Sequence, residues 1–152
     1  MVNNITLSDI WSIFFALTGA AVLIFCILQI REAMDPHRLI KAANKGNALK
    51  FEAYLKRGAP VDQATSTGTT ALIYAARAGR ENIAALLIEY EADINHADHE
   101  GTTALMEAAA QGYSTIVQLL LKNGAEANLE DKLGRTALTF AEAGGNTDIR
   151  DM

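Results

Sequence analysis

The sequence is short of the residues and motifs on which enzymes depend. Cys26 is the single cysteine among 152 residues, so an intrachain disulfide cannot form and nothing indicates an oxidising compartment. A glycine-rich phosphate loop before a helix, a hydrolase-type serine motif and a Cys/His pair in a suitable setting are all missing. We therefore predict that the protein is not an enzyme and has neither a cofactor nor a small-molecule substrate.

A metal site is not expected either. One cluster of ligand-type residues is present, formed by His96, Asp98, His99 and Glu100 with Asp93 nearby. No cysteine joins these residues, and side chains that follow one another in a loop point in different directions. We interpret the cluster as solvated loop residues and predict no metal.

Charged residues are absent from residues 10–30, a run of 21 positions. A helix of this length spans about 31 Å, which is the thickness of the hydrocarbon core of a bilayer. Trp11 lies at one end of the run and Arg31 follows the other, as aromatic and basic residues do at membrane boundaries. We predict a short tail at residues 1–9, a transmembrane helix at 10–30 and a juxtamembrane linker at 31–35.

Other kinds of N-terminal segment fit the run less well. A cleaved secretory signal needs a basic leader and a shorter apolar core, whereas the leader here carries only Asp9. A lipoprotein signal needs a small residue before its cysteine, but Phe25 precedes Cys26. A buried globular helix of this length has no place in the fold predicted below, so the transmembrane interpretation is preferred.

Basic residues predict the orientation of this helix. Residues 1–9 hold no Lys or Arg, whereas Arg31, Arg38, Lys41 and Lys45 follow the run. The positive-inside rule therefore predicts the N-terminus outside and the rest of the chain in the cytoplasm, at a bacterial inner membrane. The alternative is a periplasmic domain, which would require those four charges to cross the bilayer.

Small residues recur at helical spacing inside the run. Close packing of helices in lipid favours such residues, so the run has a candidate packing face for a partner helix. The other interpretation is a plain lipid-facing helix. The packing candidates are Ser12, Ala16, Gly19 and Ala20.

The rest of the chain repeats with a period of 33 residues. Comparing residues 68–100 with 101–133 gives 14 identical positions in 33, which marks an internal repeat. In each unit a threonine can cap a first helix, and a glycine can end it in a left-handed conformation. An apolar stripe then predicts a second, antiparallel helix. In the second unit these features are Thr70, Gly79, Ile83, Leu86 and Leu87.

The unit resembles the ankyrin repeat. The residues that carry the resemblance are Gly68-Thr69-Thr70-Ala71-Leu72, Ala75-Ala76, Gly79, Ile83, Leu86-Leu87, Ala92 and Asn95. The resemblance implies an all-α ankyrin repeat solenoid of helix-turn-helix units with β-hairpin loops over residues 36–152. About three and a half repeats are expected, at about 35–67, 68–100, 101–133 and a partial unit at 134–152.

Several departures from the family pattern bear on the structure. The proline and histidine of its usual Thr-Pro-Leu-His run are replaced, as in Thr70-Ala71-Leu72-Ile73, and we expect looser hairpins. Glu91 occupies the position at which Gly58 and Gly124 end their second helices, so the second repeat is expected to close differently. The first unit starts with Asp35-Pro36 as cap and first helical position. The last second helix is expected to be only a turn or two long.

Ankyrin repeats are known to bind partners through their hairpin tips and the exposed side of their first helices. Tyr74 and Phe140 are either aromatic anchors for a partner or half-buried packing residues. The open end of the last unit is expected to expose Leu138, Phe140 and Ile149. The resemblance assigns the binding surface to Ser66, Thr67, Thr69, Tyr74, Arg77, His99, Glu100, Thr102, Glu107, Gln111, Lys132, Leu133, Arg135 and Phe140.

Charge is divided unevenly along the predicted soluble part. Residues 31–66 carry seven Lys/Arg and four Asp/Glu, whereas residues 67–152 carry six and thirteen. One interpretation is an ordinary solvated surface. The other is that the basic first repeat faces anionic lipid headgroups while the acidic repeats are repelled from them. The acidic excess argues against nucleic acid as a partner.

The sequence therefore predicts a membrane-anchored adaptor or scaffold that binds another protein at the cytoplasmic face of a membrane. The alternative is an accessory structural subunit of a membrane protein complex, held through its transmembrane helix. In both cases the expected partners are another protein and the lipid bilayer.

Overall fold

The computed structural model describes residues 19, 21–24 and 36–150. The chain divides into two compact units, Met1–Met34 and Asp35–Met152. In the first unit, residues 19 and 21–24 are helical. Val22, Leu23 and Ile24 are exposed by 62%, 64% and 56%.

The predicted membrane span at residues 10–30 falls mostly outside the described residues. Of the four packing candidates, Gly19 is described and has open space around its Cα, whereas Ser12, Ala16 and Ala20 lie outside the described part. Among the residues that the structure does describe, no helix has the length and apolar character needed to span a bilayer.

The second unit is built from pairs of short helices. Within residues 36–150 we number eight of them in chain order, and no strand occurs in this part. The first helices of the four pairs are α1 (Pro36–Lys45), α3 (Ala71–Arg77), α5 (Ala104–Gln111) and α7 (Ala137–Ala143). The second helices are α2 (Ala48–Lys56), α4 (Glu81–Glu89), α6 (Ser114–Lys122) and α8 (Thr147–Arg150).

The helices form two layers that share one core. First helices pack on first helices in the order α1, α3, α5, α7, and second helices pack in the order α2, α4, α6, α8. Alanines such as Ala75 and Ala108 are fully buried in the first layer, where they let neighbouring helices approach closely. Larger residues such as Ile83, Leu87 and Leu120 fill the second layer. The predicted all-α repeat stack is therefore confirmed for residues 36–150.

Threonine begins the first helix of each of the last three pairs. The Thr70 hydroxyl accepts a hydrogen bond from the Ile73 N–H at 3.5 Å, and the Thr103 hydroxyl accepts one from the Met106 N–H at 3.3 Å. Both bonds satisfy an amide that the helix itself leaves free, as the sequence predicts. In the first pair, α1 begins at Pro36, also as predicted.

The loops between pairs are tight turns rather than β-hairpins with strands. One isolated β-bridge, between Ala97 and Thr103, is the β-structure of the described part. The second of these turns is tied by Asp98, whose Oδ1 accepts hydrogen bonds from the N–H groups of Glu100 and Thr102, both at 2.9 Å. Asp131 does the same in the third turn. These carboxylates hold the turns without the family's histidine.

Glu91 adopts the left-handed backbone of the glycines that it replaces. Its φ is 59°, whereas Gly58 and Gly124 have φ of 83° and 95°. The bond from the Ala92 N–H to the Leu87 carbonyl, at 2.9 Å, matches the bonds at Ala59 and Ala125. The expectation that the second repeat closes differently is wrong, because packing holds Glu91 in a conformation that its side chain disfavours.

Replacing Glu91 with glycine is therefore expected to stabilise the fold. Relief of the left-handed strain should raise the free energy of unfolding by about 1 kcal/mol, measured by urea denaturation of the full chain. Glu91→Gln removes the charge but keeps the strain, so it should leave stability nearly unchanged. Equal gains from both variants would assign the effect to charge and not to the backbone.

The fourth pair is incomplete. Its second helix, α8, has four residues, which confirms the prediction of about one turn. Leu138 is 49% exposed, and it lines a groove of about 250 Å³ together with Val117, Leu121 and Ile149. This groove lies where a full second helix covers the preceding unit elsewhere in the stack.

Candidate functional site

The turns between helix pairs are joined to one another in a row. The His99 N–H donates to the Thr67 carbonyl at 3.0 Å, and 33 residues later the Lys132 N–H donates to the Glu100 carbonyl at 3.0 Å. A side chain adds to the first link, since Nε2 of His96 lies 3.0 Å from the Gly68 carbonyl oxygen. The three turn tips therefore form one continuous surface along the stack, which we call the tip row (residues 65–69, 98–102 and 131–135).

Glycines permit this close approach. Gly68 has φ of 79°, and a Cβ on it would lie 2.9 Å from the His99 nitrogen. Gly101 has φ of 81°, and a Cβ on it would lie 2.9 Å from the Cα of Asp131. The corresponding Gly134 has no following turn, and its nearest neighbour is Oε2 of Glu130 at 3.9 Å. The tip row is therefore open at its third turn.

Most of the binding residues predicted from the family lie on the tip row or beside it. Those with exposed side chains are Ser66, Thr67, Arg77, His99, Glu100, Gln111, Lys132, Leu133 and Arg135. Those that are half-buried are Tyr74, Thr102, Glu107 and Phe140. The structure thus brings these side chains to one side of the stack.

Thr69 is the exception. It is only 3% exposed, and its hydroxyl is within hydrogen-bond distance of the Thr67 hydroxyl at 2.9 Å. Thr67 in turn contacts the Thr65 hydroxyl at 2.8 Å, so the three threonines stabilise the first turn. Thr69 therefore supports the surface and is removed from the candidate contact residues.

Tyr74 takes part in a link between two repeats. The Arg77 guanidinium lies over the Tyr74 ring, with its Cζ 5.4 Å from the ring centroid. The same guanidinium donates to Oε1 of Glu107 in the next repeat at 2.6 Å. This hydrogen bond raises the pKa of Arg77 above its ordinary value, and the Glu107 charge adds to the effect. The ring is therefore half-buried but held rigidly at the surface, which combines both sequence interpretations of Tyr74.

Phe140 has the same arrangement around Arg135. The Arg135 Cζ lies 4.6 Å from the Phe140 ring centroid, which is a cation–π contact. Arg135 also donates from Nε to Oδ2 of Asp131 at 2.8 Å. Asp131 is buried, whereas Arg135 and the neighbouring Leu133 are exposed. The third turn therefore presents an arginine-covered aromatic ring next to an exposed leucine.

Arg135 also controls the ionisation of Asp131. Its hydrogen bond lowers the pKa of Asp131 below the ordinary value of 3.8, and the N–H groups of Arg135 and Leu133 act in the same direction. The carboxylate is therefore favoured more in the folded than in the unfolded chain. Its contribution to stability is present at neutral pH and is lost as the pH falls through the folded-state pKa.

The Asp131→Asn variant is expected to reveal this contribution through its pH dependence. At pH 7 the variant should unfold at a lower temperature than the parent, and the difference should shrink once the pH falls below about 4, where the parent carboxyl also becomes neutral. Thermal unfolding followed by circular dichroism across this range measures it. Asp148→Asn removes an exposed carboxylate and is the control, which should follow the parent at every pH. A difference that does not change with pH would contradict the proposed ion pair.

The sequence did not reveal the acceptors that connect the loops on the other side of the stack. Oδ1 of Asp62 accepts from the Asp93 N–H at 2.9 Å, and Oδ1 of Asn95 accepts from the Glu126 N–H at 2.9 Å. The signal was present, because residues 62, 95 and 128 are 33 apart and are Asp, Asn and Asn. Recognising it requires knowing that successive loops touch.

Within the described part of the chain, no group of histidine, cysteine and carboxylate side chains is arranged to hold a metal ion. His96 contacts the Gly68 carbonyl, and Asp98 accepts hydrogen bonds from its own turn. The two residues therefore have structural contacts in the tip row.

The comparisons with known proteins agree with this architecture. A protein-family model described as ankyrin repeats (3 copies) matches residues 39–131, which is more than half of the chain. No curated protein matches the chain significantly. The family model, the 33-residue period and the paired helices together show that this chain belongs to the ankyrin repeat family.

Proposed function

We propose that this chain is an adaptor that binds another protein through the tip row, while residues 10–30 anchor it at the cytoplasmic face of a membrane. Ankyrin repeats are protein–protein interaction modules. The observation that carries the proposal is the third turn, where Leu133 is 75% exposed beside the Phe140 ring under Arg135. Aromatic and arginine side chains supply much of the binding energy in protein interfaces.

The rigidity of the tip row supports this proposal. Tyr74 and Phe140 are both covered by guanidinium groups that are themselves fixed by carboxylates. A partner that binds these side chains immobilises few new rotamers, so less binding energy is lost to ordering. The row also offers backbone and side-chain polar groups around its apolar residues, as a polar rim does in interfaces.

The membrane part of the proposal is supported by the apolar run. Residues 10–30 carry no charge, and the described helical residues Val22, Leu23 and Ile24 expose their apolar side chains. Arg31, Arg38, Lys41 and Lys45 favour placing the repeats on the cytoplasmic side. Resistance of the full chain to extraction from membranes by alkaline carbonate tests the anchor, and release by carbonate would contradict it.

Two exposed leucines provide a matched test of the binding surface. Leu133 lies on the tip row, whereas Leu49 is 81% exposed on α2 in the other layer. Leu133→Ala is expected to weaken capture of the partner about ten-fold, as loss of a central contact does. Leu49→Ala should leave it unchanged. Quantitative mass spectrometry of proteins co-purified in mild detergent measures both, and equal losses would contradict the tip row as the binding surface.

A second candidate is an accessory subunit held through its helix, favoured by the small residues Ser12, Ala16, Gly19 and Ala20. Replacing residues 10–30 with an unrelated apolar helix separates the two functions. An adaptor keeps its partner after this exchange, whereas a subunit held by its helix is lost from its complex.

A further inference from the structure

The first helix pair contains a basic cavity at the end of the stack opposite the open groove. The cavity has a volume of about 580 Å³ and lies on α1, α2 and the turn between them. Its lining residues are Lys41, Ala42, Lys45, Asn47, Lys50 and Tyr54. It belongs entirely to the first repeat and is separate from the tip row.

The lysines of this cavity have no described counter-charge. Lys41, Lys45 and Lys50 are all exposed, and none of them forms an ion pair within the part of the chain that the structure describes. Glu52 is the one acidic residue of α1 and α2, and it pairs with Lys56. Residues 36–61 carry six Lys/Arg and this single glutamate. The cavity is therefore surrounded by positive charge that nothing in the first repeat neutralises.

The repeat register shows that this charge is a departure from the scaffold. Lys50 is 33 residues before Ile83 and 66 before Ile116, and both isoleucines are buried. An end unit needs a polar outer face, so some polar residue is expected here. A polar face does not require several like charges around one cavity, and these repel one another.

We propose that this cavity binds phosphate groups of an anionic ligand. Lysine ammonium groups act as strong point charges toward phosphate. The Oδ1 atom of Asn47 accepts from the Lys50 N–H, which leaves its NH₂ group as a further donor, and the Tyr54 hydroxyl is another. The phosphate comes either from the headgroup of an anionic phospholipid or from a small soluble phosphate compound. This site does not depend on the proposed partner of the tip row.

Lysine footprinting of the full chain tests the proposal. The purified chain is reconstituted in phosphatidylcholine nanodiscs, and acetylation rates of individual lysines are measured by mass spectrometry. One arm adds inorganic pyrophosphate, and the other compares nanodiscs with and without phosphatidic acid. We expect Lys41, Lys45 and Lys50 to be protected in at least one arm. Lys122 and Lys132, exposed elsewhere on the stack, report non-specific screening and should stay reactive.

A pair of charge-matched variants completes the test. Lys45→Gln with Lys50→Gln should weaken the protecting ligand at least about ten-fold, through loss of two charge-assisted contacts. Lys122→Gln with Lys132→Gln removes the same charge and should have no effect. Protection by pyrophosphate identifies a soluble ligand, and protection by phosphatidic acid alone identifies a lipid headgroup. Equal protection of all five lysines, or protection in neither arm, overturns the proposal.

Discussion

Replacing Leu87 with alanine is expected to lower the free energy of unfolding by about 3 kcal/mol. Leu87 is fully buried on α4, between the second helices of its neighbours, and its side chain has no exposed surface. Its removal deletes transfer energy and leaves a cavity that α2 and α6 cannot close without moving. Urea denaturation of the full chain, followed by circular dichroism, measures the change.

Leu49→Ala is the matched control for this change. Leu49 also lies on a second helix, but it is 81% exposed, so its truncation should change the free energy of unfolding by less than about 0.5 kcal/mol. Comparable losses from the two variants would contradict the assignment of Leu87 to the core and of Leu49 to the surface.

Gly101→Ala is the second change with a large expected effect. The residue has φ of 81°, and an added Cβ would lie 2.9 Å from the Cα of Asp131 and 3.1 Å from the Lys132 nitrogen. Backbone atoms cannot move aside as a flexible side chain can, so the third turn must separate from the second. We expect a loss of about 3 kcal/mol, combining left-handed strain with the displaced turn.

Gly134→Ala isolates the strain from the displacement. Gly134 occupies the same repeat position with φ of 71°, but the nearest atom to an added Cβ is 3.9 Å away. This variant should lose only about 1 kcal/mol, the contribution of the left-handed backbone. If both variants lose the same amount, close approach between turns is not what requires glycine at residue 101.

The repetitive parts of this fold were predictable because each depends on local chemistry. Thr70 and Thr103 begin helices through bonds to amides three residues away, and the buried positions of α4 and α6 follow helical spacing. The family match over residues 39–131 supports the same interpretation. The one-turn α8 also followed from counting positions in the 33-residue period.

The errors arose where contacts between distant residues outweigh local preference. Glu91 was expected to change the closure of its repeat, yet the surrounding stack holds it at φ of 59°. Thr69 was expected at the binding surface, but the neighbouring turn and its own hydroxyl contacts bury it. Single-residue propensities do not include such neighbours.

The binding surface was predictable in position but not in detail. Family resemblance placed the surface along the turns, whereas the Arg77–Glu107 and Arg135–Phe140 contacts join residues whose pairing no local pattern indicates. The basic cavity was missed for a related reason. The sequence shows an excess of lysine in the first repeat, but only the helix pair brings Lys41, Lys45 and Lys50 around one space.

Because the main packing in each layer runs from neighbour to neighbour, the stack has no contact that fastens its two ends together. Its amides should therefore exchange with solvent deuterium on a gradient, slowest in α3 to α5 and fastest in α7 and α8, where one flank is missing. Leu133 lies beside this fastest-exchanging unit. A bound partner there would serve as the absent flank, so its arrival should slow deuterium uptake well beyond the residues that it touches.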